Sequence, residues 1–159
     1  MPYFKEFEIR WSDLDANLHL GNSSYTNLMT HARMSYLSTL GFDHRSLIEH
    51  RIGPVVFYEH MYYFKEVLPG STVKVSVEVK GLSEDGMFFE FHQNFYDGGG
   101  KNVARCELMG SWMSWETRKL MPLQGILLEG ILGVEKASDF RVLTKEDTRR
   151  FKKFPKDLV

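Results

Sequence analysis

Residues 11–25 read WSDLDANLHLGNSSY. Asp13 and Asp15 stand two apart, and Asn17, His19, Gly21, Asn22, Ser23 and Ser24 follow with apolar residues threaded between them. Short polar side chains of this kind hydrogen-bond nearby backbone and favour turns and helix starts. The stretch reads as a structured loop leading into a helix. What stands on either side of it decides the fold.

Upstream, residues 4–11 (FKEFEIRW) alternate, with Phe7, Ile9 and Trp11 on one face and Glu6, Glu8 and Arg10 on the other. That period of two predicts a first strand. Downstream, Tyr25, Leu28, Met29, Ala32, Tyr36, Leu37 and Leu40 recur at three- and four-residue steps. They form one apolar face of a helix over 24–40. Asn22, Ser23 and Ser24 are placed to cap its start, and Gly41 to stop it in a left-handed conformation.

Residues 41–53 read as a loop with a short helical turn. The segment GPVVFYEHMYYFKEV (53–67) carries β-branched and aromatic residues on both faces, which predicts a strand covered on both sides. After the Pro69-Gly70 turn, residues 72–80 alternate, with Val73, Val75, Val77 and Val79 inward and Lys74, Ser76, Glu78 and Lys80 outward. A Glu84-Asp85-Gly86 hairpin turn leads to a strand at 87–96. A last long strand at 102–116 ends before Met121-Pro122. Strand, helix and four further antiparallel strands make an α+β arrangement with the helix on one sheet face. Residues 1–122 read as a single domain. Residues 123–159 read as a short helical or irregular extension.

Composition fits one soluble domain. The chain has 159 residues, 43% hydrophobic and 26% charged, with a formal net charge of −1. That balance argues against a nucleic-acid binder, which usually carries a basic footprint. No apolar run approaches the about 18 residues of a membrane span, so membrane insertion is not expected, and a cytoplasmic location is. The single cysteine, Cys106, excludes an internal disulfide framework and a cysteine zinc site. His44, His50 and His92 are scattered without metal-ligand spacing, so neither a metal nor a cofactor is expected.

The order of elements and the loop together resemble the hotdog-fold acyl-CoA thioesterases of the 4-hydroxybenzoyl-CoA thioesterase type. The residues that carry the resemblance are Trp11, Asp13, Asp15, Leu18-His19-Leu20-Gly21-Asn22 and Tyr25. Gly53-Pro54-Val55-Val56 opening a strand, Leu68-Pro69-Gly70-Ser71 closing it, and Arg118 to Pro122 after the last strand fit as well. The likeness spans about residues 4–122. Three places depart from the family pattern. Leu18 stands where a glycine is usual, Gly21 where the first of two asparagines is usual, and His31-Ala32-Arg33 where many relatives have Glu-Ala-Arg. The resemblance implies a hotdog fold, with one long central helix packed on a curved antiparallel sheet of about five strands.

Thioester hydrolysis needs an activated water or an attacking carboxylate, and donors for the charge that develops on the carbonyl oxygen. The chain has no Gly-x-Ser-x-Gly elbow. Cys106 falls inside an expected strand, and the helix segment 24–40, where other hotdog thioesterases place the working carboxylate, contains no Asp or Glu. For catalysis in the family manner, the resemblance implies that the loop supplies the acid. The resemblance matches Asp15 to the family's catalytic aspartate, as general base or as nucleophile. The backbone N–H of Asn22, with that of Ser23, would polarise the carbonyl at the helix start.

Each neighbour has a plainer reading beside the functional one. Asp15 itself could be a turn residue. Asp13 could bond loop amides or meet substrate, and Asn17 could form the turn. His19 could orient the loop or contact substrate. Gly21 could bind substrate through its backbone, and Tyr25 could pack under the helix or line the pocket. Glu59, in a two-faced strand, is a second candidate acid. Arg45, Arg51, Lys65 and Lys101 are available for CoA phosphates.

A two-faced apolar strand is a hazard unless paired, and the resemblance implies a homodimer or tetramer with its site between two subunits. The expected partner is a small-molecule acyl-CoA or an acyl-ACP. A non-catalytic acyl-CoA/acyl-ACP binding protein and a hotdog dehydratase or hydratase are the alternatives.

Overall fold

The computed structural model describes residues 1–158. Strand β1 (Tyr3–Glu8) is followed by a 3-10 turn (Trp11–Asp13), α1 (Asn22–Thr39), α2 (His44–His50), β2 (Ile52–Tyr63), β3 (Thr72–Leu82), β4 (Phe88–Asp97) and β5 (Asn102–Ser114). The extension adds α3 (Gly125–Leu132), β6 (Arg141–Val142) and a 3-10 turn (Lys145–Arg149). One sheet runs in the order β1-β3-β4-β5-β2, with the short β6 beside β3. All pairs among the five long strands are antiparallel; only β6 runs parallel to its neighbour. No helix among the described residues is long and apolar enough to cross a membrane.

The inner face of the sheet carries α1. Tyr25, Leu28, Met29, Ala32 and Leu37 pack against Val73, Val75, Phe91, Phe95, Cys106 and Leu108 in one cluster. Leu127 and Ile131 of α3 join the same core. On the outer face a smaller cluster forms from Phe88, Met109 and Leu143, with Tyr58 against it. The helix ends as its glycine demands. Gly41 has φ +96°, its N–H donates to Ser38 O, and the Phe42 N–H donates to Leu37 O at 3.0 Å. This pair of bonds is the Schellman stop.

Several expectations need correction. The first strand ends at Glu8, and Trp11 leaves the strand face to stand 85% exposed. The cause is Asp13, whose carboxylate accepts the Arg10 backbone N–H at 2.8 Å and draws the chain into a 3-10 turn. Helix α1 begins at Asn22, with Gly21 as its N-cap and no side chain capping it. Ser24 instead donates its hydroxyl to Asp13 O at 2.8 Å. Ser76 is buried, because the neighbouring Asn94 N–H donates to its hydroxyl at 3.0 Å. The strand expected to reach residue 67 ends at Tyr63, where Phe64 and Lys65 both donate to Val103 O. The last strand ends at Ser114 rather than 116.

Strand β2 pairs with β5 alone, so its other edge is open. Its aromatic residues are uncovered within one chain: Tyr62, Tyr63 and the following Phe64 are all exposed. Among the described residues, no element of this chain covers these three rings from solvent.

Candidate active site

The loop before α1 is closed by its own backbone. Asp15 N–H donates to His19 O and Leu18 N–H to Asp15 O, both at 3.0 Å, while Leu14 and Leu20 bridge across the base. Leu18 has φ +55°, the left-handed conformation that favours glycine. This is the position where the resembling family carries glycine, and here an exposed leucine accepts the strain. Asn17 donates its backbone N–H to Asp15 Oδ1 at 2.9 Å, which makes it the turn former of its plainer reading.

The loop folds back tightly on the helix start. Gly21 N–H donates to Asp13 O at 2.9 Å. A Cβ built on Gly21 would stand 3.3 Å from the Asp15 Cβ. The absent side chain at residue 21 eases the close approach of Asp15 to the first turn of α1. Among the described residues no acceptor meets the N–H of Asn22 or Ser23, as expected for the first helical positions.

Asp15, His19, Asn22 and Tyr25 line one open groove of about 460 Å³, together with Leu20, Tyr63, Phe64, Lys65 and Glu66. The two carboxyl-bearing and imidazole side chains are half-buried. His19 Nδ1 lies 3.3 Å from Asp15 Oδ1 and 3.2 Å from Leu20 O. Tyr25 is buried and packs edge-on against Tyr63 and Phe95, at 5.2 and 5.1 Å between ring centres. Burial pushes its hydroxyl pKa up to about 12, so the wall of the groove is a neutral phenol.

Other sequence-expected residues lie elsewhere. Asp13 is buried in a bidentate pair with Arg10, at 3.1 and 2.8 Å, and that guanidinium holds its carboxyl below the usual carboxylate range. Its place is structural, under the loop. Asn17, Gly21 and Ser23 shape the loop and helix start without lining the groove. Glu59 sits on the inner face of β2, exposed, four residues before Tyr63, and does not line the groove. Its charge acts on the buried Arg33, whose pKa burial pushes down and Glu59 pushes back up. Of the four basic residues available for phosphates, Lys65 alone lines the groove among the described residues, 3.6 Å from Asp97. Cys106 is fully buried, and burial pushes its thiol pKa up to about 12. A thiolate nucleophile is therefore not available there.

Two features escaped the reading of residues alone. Tyr63, Phe64 and Glu66 belong to the groove because β2 ends where α1 begins, a tertiary fact without a local motif. Arg33 is buried and donates to Gln93 Oε1 at 2.8 Å, while Gln93 donates to Met29 O at 2.9 Å. Its place four residues after Met29, on the apolar helix face, was the available signal.

A curved antiparallel sheet wrapped on one face of α1 is the hotdog architecture, and the groove at the helix start is its candidate site. The profile of the thioesterase-like superfamily matches residues 9–158, and the chain belongs to that superfamily. No curated protein matches the chain. Among solved structures it is similar to a hypothetical protein of Staphylococcus aureus solved in complex with CoA, at 12% identity and TM-score 0.79, covering 100% of this chain and 96% of that one. It is similar also to a DHNA-CoA thioesterase of Staphylococcus aureus (20% identity, TM-score 0.71, covering 77% of this chain and 80% of that one). A 1,4-dihydroxy-2-naphthoyl-CoA thioesterase from Synechocystis is a third (15% identity, TM-score 0.73, covering 84% and 98%). At these identities the likeness defines the fold.

Proposed function

We propose that this protein hydrolyses acyl-CoA thioesters in the manner of the 4-hydroxybenzoyl-CoA thioesterase type, with Asp15 as the working carboxylate. One observation carries the reading. Asp15 lies close to the Gly21 N-cap and lines one groove with Asn22, the first residue of α1, whose N–H meets no acceptor among the described residues. Membership of the thioesterase-like superfamily supports the reaction class. The CoA bound to one structural neighbour, and the CoA thioesters named for two others, support CoA as the carrier.

As a base, Asp15 takes a proton from water, and the water oxygen adds to the thioester carbon. The carbonyl oxygen becomes an oxyanion facing the N–H groups at the helix start, where backbone donors and the helix dipole favour negative charge. Collapse breaks the carbon–sulfur bond and releases the CoA thiolate, which takes up a proton, and the acid. As a nucleophile, Asp15 adds to the same carbon, expels the thiolate and forms a mixed anhydride that water then cleaves. Unlabelled acid from a single turnover in ¹⁸O-water identifies the anhydride route with water attacking the Asp15 carbon, because the base route puts water oxygen into the acid.

Residues 1–122 form the catalytic domain in this reading, and 123–159 a C-terminal extension, of which Leu123, Leu127, Ile131 and Val134 pack into the core. Two copies joined along the open edge of β2 would cover Tyr62, Tyr63 and Phe64 and complete the groove from a second subunit. Sedimentation velocity should return a dimer or tetramer; a monomer at micromolar concentration defeats that assembly.

The deciding experiment is thiol release from short, medium, long and aryl acyl-CoAs by wild type and Asp15→Asn. Loss of the base or nucleophile should lower turnover by about 10²–10⁴-fold. Binding without release would favour a non-catalytic acyl carrier. A changed acyl chain with its thioester intact would favour a hydratase.

A further inference from the structure

A second, wider concavity lies away from Asp15, on the outer face of the sheet. It has a volume of about 800 Å³, within the range of small-molecule sites. Its floor is β2 and its far wall is the end of the chain. Phe57, Tyr58 and Phe151 form an aromatic part of the lining, and Lys145, Arg149 and Lys153 line it as well. The Arg150 guanidinium lies over the Tyr58 and Phe151 rings at 5.7 and 5.1 Å. Tyr58 and His60 point to the face opposite Glu59 and Tyr63, because side chains alternate along a strand. The concavity is therefore separate from the groove beside α1.

Its wall is built rather than draped. Glu90, buried on the outer face, accepts from Arg150 Nη2 at 2.9 Å and Arg141 Nη2 at 2.6 Å. Arg141 also pairs with Asp147 at 2.8 Å. This network pins the chain on both sides of the Lys145–Arg149 turn. Phe151 then seats on His60 at 4.5 Å and edge-on to Tyr58 at 5.0 Å between ring centres.

The charge of the wall is not spent within the chain. Five of the chain's 20 Lys and Arg fall within residues 149–156, where there is no Asp or Glu. Among the described residues Lys145, Arg149 and Lys153 have no carboxylate within ion-pair distance. Glu146 is the one carboxylate lining the concavity among them. Aromatic rings and unpaired cations lining one concavity suit a flat ring carrying phosphates: the ring stacks, and the cations meet the anionic oxygens by charge-assisted hydrogen bonds.

We propose that this concavity is a second ligand site that takes an adenine nucleotide, with the base against Phe57 and Phe151 and the phosphates on Lys145, Arg149 and Lys153. The site does not depend on the thioesterase reading. Edge pairing of β2 uses backbone groups and leaves the outer face of the sheet open. The nucleotide could arrive free or as the nucleotide end of a CoA molecule, and the chemistry recognised is the same.

Isothermal titration of the full chain with ADP, pyrophosphate and CoA tests it. ADP should bind, pyrophosphate more weakly for want of a ring, and raised salt should weaken both. Arg149→Gln with Lys153→Gln, both exposed, the first at the end of the 3-10 turn and the second beyond it, should weaken ADP binding by about tenfold or more. Phe151→Ala should weaken ADP more than pyrophosphate. Asp15→Asn should leave ADP binding unchanged. Equal affinity for ADP and CoA identifies the free nucleotide as sufficient. CoA binding that depends on the same residues, with ADP weaker but still bound, identifies the CoA end. No ADP binding, or ADP binding lost in Asp15→Asn but kept in the double variant, overturns the site. Binding only to phosphatidylglycerol vesicles also overturns it and assigns the basic segment to a membrane surface.

Discussion

His19 Nδ1 lies between two acceptors, 3.3 Å from Asp15 Oδ1 and 3.2 Å from the Leu20 carbonyl oxygen. Only a proton on Nδ1 makes either contact favourable. The imidazole thus ties the Asp15 side chain to the loop base, as Asn17 N–H does from the other side. His19 is a positioning residue in this arrangement. His19→Ala should lower kcat by roughly 10- to 100-fold with little change in KM, because a carboxylate misplaced by about 1 Å loses that order of rate. His19→Asn, whose amide N–H can stand where Nδ1–H stood, should recover part of it. Equal loss in both variants would instead point to proton transfer by the ring.

Leu18 holds φ +55° with its side chain exposed, so the conformation costs energy that no packing repays. Relief of a left-handed leucine is worth about 1–2 kcal/mol, and the extra freedom of an unfolded glycine takes back roughly 0.5–1. Leu18→Gly should raise the thermal midpoint by a degree or two and leave thiol release intact. A lower midpoint would show that Leu18 makes contacts in the assembled protein that one chain does not reveal.

Cys106 lies in the core between α1 and the sheet, its thiol pushed up to about 12 by burial. Cys106→Ala should leave thiol release unchanged and cost about 1 kcal/mol of stability for the small cavity. Loss of activity in a variant that keeps its fold would return the cysteine to the mechanism.

Glu90 clasps the extension through Arg141 and Arg150. Burial pushes its carboxyl pKa up, the bonds from His92 and Arg150 push it down, and it ends below its ordinary value. A carboxyl depressed on folding contributes stability that is present above its unfolded pKa and is lost as pH falls through its folded one. The clasp should therefore be whole at neutral pH and weaken below about pH 4. Glu90→Gln should cost about 3 kcal/mol at neutral pH, at the low end for a broken buried pair because Arg141 remains 40% exposed. It should also expose the chain after Phe140 to limited proteolysis. Resistance equal to wild type would show that Phe140 and Leu143 hold the extension without the ions.

Local chemistry was legible wherever it was self-contained. Helix α1 could be read from its three- and four-residue apolar spacing and its glycine stop. Strand β3 could be read from its four alternating valines, all of them buried. The turn at Asp15–Asn17 could be read from residues that bond their own backbone. The helix cap was misassigned because three candidate side chains stood in a row, and which residue caps depends on where the incoming loop leaves the backbone. Asp13, two bonds deep in Arg10, drew the loop tighter than the polar pattern alone implied. The cap fell to Gly21, which lies close against Asp15.

The sequence by itself determined the apolar face of α1 and the buried valine face of β3, and therefore that a long helix lies on one side of an antiparallel sheet. Only the tertiary structure decided the neighbours. A period of two says which residues share a face and nothing about which strand lies alongside, so β2 could not be known to skip β3 and β4 and pair with β5. That choice places Tyr63 to Glu66 at the start of α1 to make one groove, and it leaves the outer face of β2 for the chain's basic end to make another. Both grooves join residues far apart in sequence, and their closure rests on long-range packing that no local spacing records.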